Sequence, residues 1–559
     1  MTIGDSDSSN RNKVLDALVV GAGPTGLAMA LDLQRHGMNY RIIEKAAGPT
    51  DLSKATVVMP RTTEEFAPRG LSKDIIAAGE RSISLSTYSH GKMIFHSVYD
   101  HLATDYSFLI NVPQSSTERV LREHLEKAGG KINWNTELVS FNQDDTGVDV
   151  VLKTADGKTE HVRTAWLVGC DGAHSALRHA LEIPFEGAAY KNNWLLADVH
   201  IDWRFPHGHT YLFFQEDGLL AVFPMPDKRH RIYVVRLEQE ALGRQPTLED
   251  FQELADTYVP DGCELSDPRW LSEFHCHHRR IKHYGKGRAM LAGDAAHVHS
   301  PESGLGMNTG IQDAFNLAWK IAYVQKGLVS SELMESYNLE RSYVGKEVLK
   351  LSDRTHKIWV QFGKFAETIR APMWRLFSSF FAHHHASLEE AVQIRIHYPE
   401  GVFTEHHGHP DSVHPINPPV EAGMRAINGP LHRSDIQEEL PGGLASLFDA
   451  LRFKLILFTG SHPGEEITGV LAELLETAAQ YPAQIDSIII HGGQNPSLYS
   501  GLDAELYVDP TLHLHFRYAA QAGGIFLVRP DLYVGFSSHR LDNGKLKKYL
   551  GNLFEKSAS

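Results

Sequence analysis

Between Ala17 and Leu31 the chain reads Ala-Leu-Val-Val-Gly-Ala-Gly-Pro-Thr-Gly-Leu-Ala-Met-Ala-Leu, and a second apolar stretch, Arg41-Ile42-Ile43, ends in Glu44 and Lys45. An apolar strand, three glycines at G-x-G-x-x-G spacing, an amphipathic helix and an acid roughly 20 residues further on leave few folds open. Together they predict a βαβ unit that holds a dinucleotide. Gly21 gives the tight turn, Gly23 lets bare backbone approach a pyrophosphate, Pro24 and Thr25 lead into the helix, and Gly26 lets that helix lie close to the strand. The phosphates would sit on unpaired N–H groups at the positive helix end, while Glu44 accepts hydrogen bonds from a ribose.

At 559 residues the chain has room for about three or four domains of ordinary size. A net charge of −15 lacks the basic footprint of a nucleic-acid or anionic-membrane binder, although 33 histidines soften that acidity below neutral pH. Cys170, Cys263 and Cys276 form no C-x-x-C pair, which argues against a disulfide framework or a zinc ribbon and fits a reducing compartment. The stretch from Met1 to Lys13 lacks the apolar core of a signal peptide, and no apolar run reaches the about 18 residues of a membrane span. The expectation is a cytoplasmic protein with no stable membrane insertion.

Two further strand ends carry ligand-binding chemistry. Trp166-Leu167-Val168-Gly169-Cys170 reads as a buried strand ending in Asp171-Gly172, where the carboxylate can accept from cofactor hydroxyls; the plainer reading is an Asp-Gly turn. Met290-Leu291-Ala292 ends in Gly293-Asp294, and a loop with Pro301, Gly304, Gly306, Met307 and Asn308 leads to a helix beginning near Gly310. Asp294 can bind a sugar hydroxyl there, and the loop can turn N–H groups toward an electron-rich ring edge. His297 and His299 invite a metal reading but have no third ligand nearby, and His383-His384-His385 is a metal candidate by composition alone, so no metal is expected. Lys54 and Arg61 are candidates for cofactor phosphate or ribityl oxygens.

The expected fold class is α/β. Residues 14–190 and 285–350 form a Rossmann-like nucleotide domain, 191–284 an inserted antiparallel sheet joined by 81–112, 351–395 a helical connection and 396–559 a linker plus a compact βαβ…ββα unit. That last order is thioredoxin-like. Its missing C-x-x-C points to a structural or oligomeric role, which leaves room for a homo-oligomer. The segment from Ser330 to Glu347 reads as a surface helix.

With all three motifs in place, the chain resembles the FAD-dependent aromatic hydroxylases of the para-hydroxybenzoate and phenol hydroxylase type. Gly21-Ala22-Gly23-Pro24-Thr25-Gly26, Cys170-Asp171-Gly172-Ala173-His174-Ser175 and Gly293-Asp294-Ala295-Ala296-His297 are that family's hallmarks in order, and Leu317-Ala318-Trp319-Lys320 and Leu527-Val528-Arg529-Pro530-Asp531 are further family-like phrases. The resemblance implies that Gly21, Gly23, Gly26, Glu44 and Lys45 hold the ADP half of FAD. It implies that Asp171 and Gly172 serve FAD and a nicotinamide nucleotide, that Gln114 and Arg119 touch the flavin, and that Asp294 binds the ribityl region. It places Gly304, Gly306, Met307 and Asn308 at the isoalloxazine and Pro301 at its oxygen-reactive face. Arg231 and Tyr233 match a strand facing substrate, and Tyr211 lies near the phenol-activating position. Lys54 departs from the family's usual arginine, and Ser303 and Leu305 from its usual glycine and glutamine. The implied reaction uses NADPH or NADH and O2: oxygen adds at flavin C4a and the hydroperoxide hydroxylates a phenolic or other electron-rich aromatic substrate. Epoxidation or Baeyer–Villiger insertion by the same cofactor, or a non-catalytic flavin-binding protein, are the alternatives.

Overall fold

A computed structural model of the chain describes residues 14–50, 55–236, 242–298, 304–356, 385–401, 403–408, 418–435, 438–464, 466–493 and 496–555. The first strand, Leu15–Val20, lies in the middle of a parallel array, flanked by Tyr40–Ile43 on one side and Thr159–Gly169 on the other, with Ala289–Leu291 beyond the latter. Parallel strands covered on both faces read as unbroken apolar runs, and Ala17, Leu18 and Val19 are all fully buried. Val20 pairs with Gly169 and Gly169 with Leu291, so three strands end in one row. The helices Pro24–Arg35 and Gly306–Gln325 share the core of this domain.

The second sheet runs in the order His297–Val298, Glu264–Arg280, Glu186–Asp202, His230–Arg236, Gly218–Pro224, Thr210–Gln215, Ser84–Ser89 and Lys92–Val98. Side chains alternate across it. Leu195, Ala197, Tyr211, Phe213, Val222 and Ile232 pack beneath the helix Leu248–Tyr258, whereas Thr210, Leu212, Phe223 and Tyr233 face the nucleotide domain. The strand Leu109–Asn111 does not join this sheet; it sits between Val57–Val58 and Glu80–Ser82 in a separate small one.

The C-terminal sheet centres on Phe453–Phe458, which pairs in parallel with Ile485–His491 and antiparallel with Gly524–Val528; Val534–Ser538 closes a hairpin and Asn543–Phe554 is the last helix. Within the stretch expected to be a linker, Glu405–His407 adds an edge strand beside Val534–Ser538. The segment 330–347, expected as a surface helix, lies largely within the helix Leu333–His356, and it departs from expectation because Tyr337, Glu340, Arg341 and Val344 are all buried. Glu340 and Arg341 have charged partners in the interior. No helix among the described residues is long and apolar enough to cross a membrane.

Candidate active site

The common ending of three parallel strands brings Gly21, Cys170-Asp171 and Gly293-Asp294 to one edge. In open α/β sheets, ligands bind at such carboxyl ends. Gly21 takes φ +104°, and a Cβ there would lie 2.4 Å from the Cys170 carbonyl oxygen, so only glycine fits. Gly26 is equally constrained, with its hypothetical Cβ 1.9 Å from the Gly21 carbonyl oxygen. Gly23 is different: nothing lies within 4 Å of the place its Cβ would occupy. The helix that starts there has no side-chain cap and no acid in its first turn, so its N–H groups face open space. That is the arrangement an anion requires. At the neighbouring strand end, Glu44 accepts hydrogen bonds from Ala22 N–H and Ala46 N–H, both at 2.9 Å, which fixes its carboxylate beside the glycine turn.

From this edge a cavity of about 480 Å³ runs to the inner face of the second sheet. Gly23, Pro24, Thr25, Gly172, Asp294 and Met307 line one end, and Leu85, Thr210, Leu212, Phe223, Tyr233 and Val392 the other. Asp294 is exposed on its wall. The 20-residue helix Gly306–Gln325 also opens on it without a side-chain cap. Two uncapped helix ends and the exposed Asp294 carboxylate along a mainly apolar cleft fit the phosphates, ribityl hydroxyls and ring of FAD. Gln114 reaches the same cavity while accepting from Ala55 N–H at 3.1 Å and donating to Glu118 Oε1 at 2.8 Å.

At the far end Tyr233 and Arg231 come together through residues that sequence reasoning missed. The Tyr233 hydroxyl lies 3.2 Å from Thr56 Oγ1, which accepts from Arg231 Nη1 at 2.6 Å, and Arg231 grips Asp198 with two 2.6 Å bonds. Burial opposes the Arg231 charge, yet Tyr233 and Asp198 outweigh it and hold the guanidinium above its ordinary range. Thr56 and Asp198 carry no sequence motif.

The structure corrects Tyr211. Period-two alternation puts its neighbours Thr210 and Leu212 on the cavity wall and turns Tyr211 to the opposite face, where its hydroxyl donates to the Pro206 carbonyl at 2.9 Å and its ring stacks on Phe213. Arg119 does not line the cavity; it is exposed and pairs with Glu123. Lys45 is likewise exposed and outside the lining. Asp171 Oδ2 accepts from Ala176 N–H at 2.7 Å and Leu177 N–H at 3.3 Å, so this carboxylate stabilises the start of the short helix Ala176–Ala180, while Gly172 lines the cavity. Asn308 is fully buried and bonds through its side chain: Oδ1 accepts from Met59 N–H at 2.9 Å and Nδ2 donates to the Val57 and Gly304 carbonyls at 2.8 Å. This ties the loop after the first βαβ unit to the helix start. Lys54, Pro301, His299 and Ser303 lie outside the described residues, as do His383 and His384.

His297, weighed as a metal ligand, is committed elsewhere. It is fully buried, with Nε2 2.6 Å from Asp313 Oδ2; the same oxygen accepts from Gly293 N–H at 2.9 Å, and Oδ1 accepts from Arg341 Nε at 2.5 Å. Burial opposes the Asp313 charge, but Arg341 and His297 outweigh it and hold the carboxyl below its usual range. This buried triad clamps the Gly293-Asp294 turn from behind.

Fold and site together define a flavin-binding oxidoreductase of the doubly wound type. The chain belongs to the FAD binding domain family, whose model matches residues 14–352. It is 31% identical over 539 residues to 6-methylpretetramide 4-monooxygenase of Streptomyces rimosus, covering 94% of this chain and 90% of that one. It is 34% identical over 369 residues to pentachlorophenol 4-monooxygenase of Sphingobium chlorophenolicum, covering 64% and 68%. The solved structure of OxyS anhydrotetracycline hydroxylase from Streptomyces rimosus superposes with a TM-score of 0.73 at 26% identity, covering 98% of this chain and all of that one. The protein is an FAD-dependent aromatic monooxygenase.

Proposed function

We propose that this monooxygenase hydroxylates a multi-ring phenol held between the Gly304–Met307 end of the cavity and the sheet face bearing Leu212, Phe223 and Tyr233. Bound FAD supplies the redox chemistry, taking electrons from NADPH or NADH and passing one oxygen atom of O2 to the ring. The chain's own residues do the rest. The Gly21–Gly26 turn and Glu44 hold the ADP half, Asp294 the ribityl chain, and the apolar wall excludes water from the reacting ring. Tyr233, backed by Thr56, Arg231 and Asp198, hydrogen-bonds the substrate hydroxyl and favours its phenolate, the more electron-rich form. The observation that carries this reading is the continuous cavity joining the dinucleotide turn to the Tyr233 chain. The multi-ring size is supported by two relatives of near-full coverage, named for 6-methylpretetramide and anhydrotetracycline.

Anaerobic stopped-flow reduction of the bound flavin by NADPH and by NADH, with phenols, indoles and polycyclic phenols added in turn, tests the proposal. Strong acceleration by polycyclic phenols supports it; an oxidised flavin with every compound rejects it. Once such a substrate is found, Tyr233→Phe is expected to retain FAD and lower kcat/KM by about tenfold to a hundredfold, roughly 1.4–2.7 kcal/mol. Tyr211→Phe, altered on the opposite face of the sheet, is expected to leave kcat/KM unchanged. Equal losses in the two variants would remove Tyr233 from the site.

A further inference from the structure

Outside the cavity lining, the edge of the C-terminal sheet brings together three groups that the flavin chemistry does not use. His406 lies on the edge strand Glu405–His407, opposite Ser537 of Val534–Ser538; His539 follows that partner strand, and Glu421 comes from the segment leading back into the sheet. One ligand atom from each of His406, Glu421 and His539 lies within 4.8 Å of the other two. His406 Nε2 is 3.9 Å from Glu421 Oε1, and the two imidazole centroids are 5.2 Å apart.

The ring nitrogens are the telling feature. His406 Nδ1 is held 2.8 Å from Ser537 Oγ, which also accepts from Ala422 N–H at 2.8 Å, and this fixes the ring with Nε2 turned toward Glu421. His406 Nε2 and both ring nitrogens of His539 are buried and make no hydrogen bond of good geometry among the described residues, and His539 is only 5% exposed. The backbone of Tyr518 and Ala519 lies against the His539 ring. Buried unpartnered polar atoms are rare because each carries an uncompensated desolvation cost. A His406–Glu421 ion pair accounts for one nitrogen, and the Tyr518 and Ala519 backbone offers the His539 ring contacts that fall short of good hydrogen-bond geometry.

We propose that His406, His539 and Glu421 bind a divalent first-row transition ion of the zinc class, with water completing its coordination. Two imidazoles and one carboxylate are a donor set that suits zinc better than magnesium or calcium, which take oxygen ligands. Glu421 is 37% exposed, so an ion has a way in from solvent. The ligands come from segments that meet only when the edge strand is docked, so the ion acts as a clip that fastens it to the sheet. Binding needs only displacement of protons from the imidazoles and involves no redox change.

The test uses the full-length, FAD-loaded protein stripped with a chelator, titrated with ZnCl2 and, after gel filtration, assayed for zinc per chain. The wild type is expected to retain one equivalent and to unfold at a higher temperature with zinc than without. Glu421→Gln and His539→Ala are expected to lose that equivalent, or hold it about tenfold or more weakly, and to lose the thermal shift. Glu421 is partly exposed, so its variant keeps the comparison valid even if His539→Ala folds poorly. Zinc retention and stabilisation equal in Glu421→Gln and wild type would place the ion on other histidines and overturn the site. A wild type that retains none would do the same.

Discussion

Gly23→Ala is expected to fold normally and to lose most of its affinity for FAD, whereas Gly26→Ala is expected to damage the fold of the first turn itself. Gly23 has φ −73° and ψ −176°, a conformation alanine adopts without strain, and its Cβ would meet nothing within 4 Å. The protein alone gives no reason for glycine there. Replacing it should even stabilise the apoprotein by about 0.4–1 kcal/mol through the unfolded chain. A methyl group in the path of a pyrophosphate, however, stands between the phosphates and the helix N–H groups, and a fall of about tenfold to a hundredfold in FAD affinity is expected, roughly 1.4–2.7 kcal/mol. At Gly26 the new Cβ would sit 1.9 Å from a backbone oxygen, which no side-chain rotation relieves, so a cost at or above about 1–3 kcal/mol falls on folding. Flavin per purified chain and apoprotein thermal unfolding separate the two effects. A Gly23→Ala protein that keeps full FAD affinity would move the phosphates away from this turn.

What was legible in the sequence was local. The glycine turn, the two Asp-Gly strand ends and the switch from helical to strand periodicity each depend on residues adjacent in the chain, and the parallel register then aligns Val20, Gly169 and Leu291. Tyr211 falls on the far face because a strand's faces alternate every residue, and without a fixed register a single-residue error moves a side chain through the sheet. Thr56 and Asp198 were invisible for another reason: they meet Arg231 across sequence separations of 175 and 33 residues. The mixed charges from Ser330 to Glu347 point to a surface helix, and the structure turns Glu340 and Arg341 inward. A signal for that did exist. Asp313, Asn316 and Lys320 recur at helical spacing within a 20-residue helix that is almost wholly buried, and buried charges on such a stripe demand partners elsewhere.

Arg529→Met is expected to destabilise the protein by about 3–5 kcal/mol, while Lys320→Met in the same buried cluster should be close to neutral. The two family-like phrases meet here. Arg529 donates to Glu340 Oε1 at 2.5 Å and Oε2 at 2.8 Å and to Asp531 Oδ2 at 2.6 Å, while Lys320 Nζ reaches Glu340 Oε2 at 2.7 Å and Asn316 Nδ2 reaches both carboxylates at 2.8 Å. All five residues are buried. Removing Arg529 leaves Glu340 and Asp531 as neighbouring carboxylates with little compensation, and it takes away the ion pair that joins the C-terminal sheet to the helix Leu333–His356. Removing Lys320 leaves Glu340 its two bonds from Arg529. The proton on Lys320 reflects that weaker position: burial, aided by the nearby Arg529 charge and only partly offset by Glu340, pushes its pKa down to about 8 from 10.5. The folded protein therefore releases this proton at lower pH than the unfolded chain, so the group's contribution raises stability as pH climbs from about 8 to 10.5, and below about 8 the cost of the buried ammonium is carried in full. Urea unfolding across that range should show the rise in the wild type and its absence in Lys320→Met. A loss of several kcal/mol in Lys320→Met at pH 7, or none in Arg529→Met, would invert this assignment of partners.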